Sequence, residues 1–420
     1  MYYLGSHHLI FRAHSSSRYS VAALVGSIEM DSRLTDLQVS APVEVSRKML
    51  RESVEKASTI VAHSAMSTQT NRIYNECKDV RDRFGDRVTL IAGGPHASAR
   101  PGDLLGAGFD YVVVGEGEKA LPDLLWHLMN GKDPLQVKGV VSATTKEYPH
   151  PKDLPKIEFD KYPPFALERN ILGPVEVTRG CPFRCKFCST PFLTGGAVRH
   201  RSIESVRFWL QKAVQRRGFK RTWFLSPNAL SYGGRGRRTE LEKLEALLRE
   251  ATSIEGLEEV FFGSFPSEVR PEFVTKKALE MMASYVANDS LQIGLQSASD
   301  RVLELANRHH SVEEGIKAIV AAFDCGLVPH VDMIFGLPGE TKLELDASIS
   351  LCEELAKMGA KVHGHVFMPL PGSEFEMMPP GRLDDDSRSA LGELSRRGFL
   401  TGSWSTQEHL AQELASKSDS

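Results

Sequence analysis

The chain has 420 residues, 41% hydrophobic and 25% charged, with 51 Lys and Arg against 54 Asp and Glu for a formal net charge of -3. That balance excludes a disordered or fibrous chain and argues against a general electrostatic grip on nucleic acid, and no apolar run is long enough to span a bilayer. The six cysteines are too few and too scattered for a disulfide framework, and the N-terminal MYYLGSHHLIFRAHSSS lacks a signal-peptide core, so the expected compartment is the cytoplasm.

The length predicts two domains with an appendage. Over residues 1–140, short β-branched runs (HLIFRAH, LTDLQVS, STIVAHSA, RVTLIAGG, FDYVVVGEG) alternate with segments of helical period such as VEVSRKMLRESVEKA and NRIYNECKDVRDRFG. Alternation of this kind predicts parallel strands with crossover helices, a doubly wound α/β sheet that binds ligands at the carboxyl ends of its strands. Gly93 and Gly94 follow the fourth strand, and Gly115, Glu116 and Gly117 follow the fifth. Glycines there serve tight turns in any such sheet, or let a ligand approach where a β-carbon would collide.

Residues 141–166 are proline-rich and read as an extended linker. A second alternation starts at VEVTRG and supplies six strand candidates over 167–375, with helices such as SIESVRFWLQKAVQRR, TELEKLEALLREA and KLELDASISLCEELAKM between them. Residues 376–420 read as a C-terminal helical segment.

After the first strand of this second alternation stands GCPFRCKFCST, with Cys181, Cys185 and Cys188 in CxxxCxxC spacing. Three thiolates this close can hold a four-iron cluster and leave one iron without a protein ligand, free to chelate a small molecule. A zinc site is the rival reading, but zinc sites usually pair cysteines two by two or add a nearby histidine, and the nearest is His200. Cys77, Cys325 and Cys352 read as small buried hydrophobes.

The cysteine segment, with Phe187 before its last cysteine, resembles the signature of the radical S-adenosylmethionine (SAM) enzymes. FLSPNALSYG (224–233), FGSFPSEVRPE (262–272), LQIGLQSASDRVLELANR (291–308), HVDMIFGLPGET (330–341) and HGHVFMPLPGS (363–373) resemble the family's successive strand-and-loop motifs. The resemblance implies a partial (β/α)6 barrel, a [4Fe-4S] cluster on the three cysteines, and SAM near Ser226, Asn228, Gln296, Ser297, Arg308, Asp332, Gly336 and Met368. The Gly-Gly-Glu of many relatives is replaced by Ser226-Pro227-Asn228. No residue is singled out as a catalytic acid or base.

The first domain resembles the cobalamin-binding, Rossmann-type domains fused to radical SAM barrels, through Ser64-Ala65-Met66, Gly93-Gly94 and Gly115-Glu116-Gly117. The DxHxxG loop of many relatives is absent; Arg12-Ala13-His14-Ser15-Ser16-Ser17 stands in its place, so cobalt without a histidine ligand is expected. The resemblance implies a cobalamin-dependent methyltransferase that works on an unactivated carbon through a 5′-deoxyadenosyl radical, served by an electron donor such as ferredoxin or flavodoxin. Its substrate would be a small molecule or peptide, with no membrane partner and no nucleic acid. Alternatives are a cobalamin-free enzyme of rearrangement, cyclisation or methylthiolation, and a non-catalytic binding protein. Methylthiolation of tRNA would call for three cysteines in the N-terminal domain, where only Cys77 occurs.

Overall fold

The computed structural model describes residues 6–418. They form two compact units, the first running to Pro174 and including Phe192–Thr194, the second made of the rest from Val175 onward.

The first unit is built on β1 (His7–Arg12), β2 (Leu37–Ser40), β3 (Ser58–Ser64), β4 (Val88–Gly93), β5 (Tyr111–Val113) and β6 (Val140–Val141). Their order is β2-β1-β3-β4-β5-β6, parallel throughout except that β6 runs antiparallel to β5. Both faces are covered, which is why β1 and β3 are buried almost end to end rather than in alternation. Leu9, Phe11, Ile60 and Ala62 join one core with Val21, Val25 and Ile28 of the helix Arg18–Met30. Ile10, Val61, Leu90 and Ala92 join the other with Ile73, Cys77 and Val80 of the helix Thr70–Phe84. Strand order reverses between β1 and β3, so the ends of these two strands form the crevice where such sheets take ligands.

The proline-rich stretch expected as a linker over 141–166 packs into the first unit. Leu154 lies on the second core, Phe159 and Phe165 are buried, and the Ile157 N–H donates to Glu116 Oε2 at 2.9 Å. Its apolar residues alternate with the prolines and charges, so the extended chain has a face to bury.

The second unit begins with β7 (Val175–Glu176), followed by a two-stranded antiparallel hairpin, β8 (Thr178–Arg179) with β9 (Arg199–His200), that closes the cysteine loop. β10 (Arg221–Leu225) pairs in parallel with β7 and with β11 (Glu259–Phe261). β12 (Ser290–Gln296), β13 (Val328–Phe335) and β14 (Lys361–Val366) form a second parallel set. The bridge from Val269 to Ile293 carries the sheet across from the segment after β11. Six strands in this order, each followed by a helix, make the expected partial barrel, with the cysteine loop at its carboxyl-terminal mouth. The C-terminal segment is more than helices: β15 (Leu400–Thr401), between the helices Asp385–Arg396 and Trp404–Ser418, adds a parallel strand to β14. No described helix is long and apolar enough to cross a membrane.

Candidate active site

The cysteine loop is pinned by backbone geometry. Gly180, at φ 93°, lies so close to the Ala197 carbonyl that a β-carbon would stand 2.3 Å from its oxygen. The Cys181 N–H donates to Gly195 O, the Lys186 N–H to Ala306 O, and Asn307 Nδ2 to the carbonyls of Phe183 and Arg184. Burial pushes the Cys181 thiol up to about 11, with Cys188 and Cys185 adding to the rise, and burial raises Cys188 as well. The three thiols together form a donor set that becomes thiolate when a cationic centre neutralises it. Two arginines meet the third sulfur: Arg270 Nη1 donates to Cys185 Sγ at 3.3 Å and Arg308 Nη1 at 3.5 Å. Arg270 Nη2 and Arg308 Nε are buried with no hydrogen-bond partner, donors left over for an anionic ligand beside the sulfur. Convergent thiols and spare guanidinium donors fit an iron-sulfur cluster with a carboxylate-bearing ligand.

Arg308 also donates through Nη2 to Gly294 O at 2.5 Å. A β-carbon on Gly294 would lie 2.6 Å from Gln296 Nε2 and 3.1 Å from Arg308 Nη2, so glycine is what lets both side chains fold back over β12. Gln296 takes φ 78° where the β12–β13 register shifts, an irregularity that re-aims its side chain. Gln296 and Ser297 are buried. Burial raises the Glu268 carboxyl, against the pull of Arg308 and Arg270.

The other carried-over positions divide. Ser226 Oγ is spent on the Asn228 carbonyl at 2.8 Å, whereas Asn228 Nδ2 is buried without a partner in a cleft shared with Cys181 and Pro227. Phe187 packs with Val302, Ala306, Leu337, Phe367 and Phe375 as part of an apolar cluster, with Met368 next in the chain and half-buried. Gly336 closely approaches backbone rather than open space, since its β-carbon would meet Gly381 Cα at 3.0 Å. Asp332 accepts from Gln292 Nε2 at 2.6 Å and stands 3.7 Å from both His363 Nδ1 and His365 Nε2. Glu268, Arg270, Gln292, Gly294, His363 and His365 went unrecognised in the sequence. The period of two along β13 and β14 carries the histidine signal, because it puts Asp332, His363 and His365 on one face.

At the β1–β3 crevice of the first unit, Arg12, His14, Ser17, His63, Ser64, Gln69 and Glu76 line a cleft. Arg12 is 4% exposed and its Nη2 has no hydrogen-bond partner, a donor suited to the amide side chains of a corrin. Gly93 borders free space, its β-carbon meeting nothing nearer than 3.8 Å. Gly94, Gly115 and Gly117 are required by the fold itself, against Ala65, Leu154 and Leu24. Ser64 Oγ meets Ser20 Oγ at 3.0 Å, and Met66 is half-buried at the end of β3. His14 Nδ1 accepts from the Ser16 N–H at 3.3 Å and lies 3.0 Å from Gln69 Nε2. An imidazole nitrogen that accepts twice holds no hydrogen, so Nε2 carries it and His14 offers no free lone pair to a metal.

Comparison with known proteins agrees with this geometry. The radical SAM superfamily model matches residues 175–352, and the B12 binding domain model matches residues 11–125. The chain is 27% identical over 369 residues to an uncharacterized protein of Methanopyrus kandleri, covering 75% of this chain and 68% of that one. It is 30% identical over 288 residues to the tRNA-2-methylthio-N(6)-dimethylallyladenosine synthase of Geobacter sulfurreducens, covering 65% of this chain and 61% of the synthase. Among solved structures, the radical SAM methyltransferase TsrM from Kitasatospora setae, with cobalamin and a [4Fe-4S] cluster bound, superposes with a TM-score of 0.67 at 15% identity, over 89% of this chain and 78% of that one. The cobalamin-dependent radical enzyme OxsB gives a TM-score of 0.66 at 15% identity, over 84% of this chain and 52% of that one. At such identities these likenesses establish the fold. With both family models matched in order and the three-cysteine loop at the barrel mouth, the chain is a radical SAM enzyme that carries a B12-binding domain, and its cofactors are a four-iron cluster, SAM and cobalamin.

Proposed function

We propose that this chain is a cobalamin-dependent methyltransferase acting at an unactivated carbon. The observation that carries the reading is the pair of arginines on Cys185 Sγ, each with a buried donor to spare, in a chain whose other unit is a B12-binding domain. When bound, the cluster and SAM supply a one-electron cleavage that yields a 5′-deoxyadenosyl radical, and cobalamin supplies a methyl carrier. Cys181, Cys185 and Cys188 would hold the cluster. Arg270 and Arg308, by donating to sulfur, would tune its potential, and their free N–H groups would orient the SAM carboxylate. Gln296 and Glu268 would flank the same ligand. In the first unit Arg12, Gly93 and the crevice polar groups would hold the corrin. His14, locked as the Nε2–H form, would leave cobalt without an imidazole.

The methylthiotransferase names among the relatives favour a second reading. The chain spans 61% of that synthase's length. Against it, Cys77 is the one cysteine in residues 1–174, fully buried and donating its thiol to Ala107 O, with its pKa pushed up to about 11 by burial.

The test is anaerobic purification with cobalamin supplied, followed by iron, sulfide and cobalt analysis and a dithionite assay with methyl-labelled SAM. Stoichiometric cobalt and label appearing on the corrin support the methyltransferase. Full cluster loading with 5′-deoxyadenosine formation but no cobalt would move the chain to the cobalamin-free enzymes.

A further inference from the structure

Asp332, His363 and His365 converge inside the barrel, their ligand atoms all within 4.8 Å of one another. Two imidazoles and a carboxylate in that arrangement would ordinarily suggest a divalent cation. The hydrogen bonds behind His365 indicate otherwise.

Gln407, on the C-terminal helix Trp404–Ser418, reaches β14 with both ends of its amide. Its Oε1 accepts from the Val366 N–H at 3.1 Å, which fixes the orientation of the group. Its Nε2 therefore faces His365 Nδ1, at 3.1 Å. An amide nitrogen donates and never accepts, so Nδ1 keeps a lone pair and the ring hydrogen of the neutral imidazole sits on Nε2. The neighbouring residue anchors the helix: Glu408 accepts from the Leu383 N–H at 3.1 Å and from Arg388 at 3.0 Å. Nε2 is the atom aimed at Asp332 Oδ1, 3.7 Å away. A metal requires a lone pair there, and the gap is too long for a direct hydrogen bond but suits one intervening oxygen.

We propose that Gln407 is a positioning residue that holds His365 as its Nε2–H tautomer, making His365 and Asp332 a donor–acceptor pair for one ligand hydroxyl instead of a cation site. That hydroxyl accepts from His365 and donates to Asp332, whose Oδ1 Gln292 already steadies. The C-terminal segment thereby sets the chemistry of the His365–Asp332 pair. The inference rests on the second unit alone and is independent of what the first unit binds.

The direct test is long-range proton–nitrogen NMR of cluster-loaded protein labelled with 15N-histidine at pH 8, with His365 assigned by H365Q. The wild type is expected to show hydrogen on Nε2. Gln407→Glu keeps an acceptor for Val366 but can only accept from Nδ1, so the hydrogen should move to Nδ1. Wild-type hydrogen on Nδ1, or a tautomer unchanged in Q407E, overturns the proposal. Zinc equilibrium dialysis gives a second reading: Q407E should gain one zinc per chain bound at least tenfold more tightly than in the wild type, and Q407E/D332N should lose it. Zinc bound by the wild type as tightly as by Q407E, and lost in H365Q, would also overturn it. Adding SAM distinguishes the source of the hydroxyl: a shift of His365 Nε2 assigns it to the ribose, and an unmoved signal assigns it to the second substrate.

Discussion

His14 in the first unit and His365 in the second both end up as Nε2–H tautomers, by different routes. His14 is locked by the N–H of Ser16, two residues on, whereas His365 is locked by Gln407, 42 residues away on another element. The polar groups around them differ as well. In the first unit Arg12 is anchored by a carboxylate, Glu76 at 2.6 Å with His63 beside it, and keeps its Nη2 without a partner. In the second, Arg270 and Arg308 turn to a sulfur and keep unpartnered donors. A carboxylate anchors the first cation and a thiol sulfur is met by the second pair, and in both units the spare donors are prepared for a ligand.

Substitution should separate the two kinds. Cys185→Ala is expected to abolish iron retention and reduce 5′-deoxyadenosine to the dithionite background while leaving the unfolding of the first unit unmoved; unchanged iron content would break the contrast. Arg308→Lys keeps the charge but gives up the fork that spans Cys185 Sγ and Gly294 O. At about 1.5–3 kcal/mol for a charge-assisted bond, the rate of SAM cleavage should fall roughly ten- to a hundredfold at equal iron loading.

The two units should also respond to pH with opposite sign. His63 is 5% exposed, and burial lowers its pKa from 6.5 to about 4. Between those values the unfolded chain binds more protons, so the first unit should lose about 1–3 kcal/mol as pH falls from 6.5 towards 4. Glu340 in the second unit is raised by burial from 4.5 to about 7. There the native state holds the extra proton, so stability falls as pH rises from 4.5 to 7. Glu340→Gln, which keeps an acceptor for the Gly336 N–H, should exceed the wild type by about 1 kcal/mol more at pH 8 than at pH 5 in urea unfolding. The smallest effect belongs to His14→Ala: cobalt content should be unchanged, and the Co(II) resonance should lack imidazole nitrogen splitting in both proteins.

Much of the fold was legible because it is written locally. The helices Arg47–Lys56, Thr70–Phe84, Ile203–Arg217, Leu241–Thr252 and Lys342–Lys357 lie where periodicity puts them, and so do the principal strands of both sheets. The antiparallel β6 and the late β15 were missed, since strands of two residues carry too little pattern to stand out. The proline-rich stretch was misread because its composition describes a connector, while Leu154, Phe159 and Phe165 are spaced to reach a core that composition does not reveal. Glu268 and Arg270 sit in a segment whose resemblance was noted, yet the meeting of Arg270 with Cys185 and of Glu268 with Arg308 needs strands far apart in the chain to close into a barrel.

By itself, the amino-acid order determined that three thiols fall within eight residues after a barrel strand and that His14 follows Arg12 without an aspartate, because a short loop keeps its own residues together. Tertiary structure decided which guanidinium groups face Cys185 and which nitrogen of His365 holds its hydrogen. Those depend on Arg270, Arg308 and Gln407 arriving from separate elements, and a hydrogen-bond direction is settled only when both partners are in place.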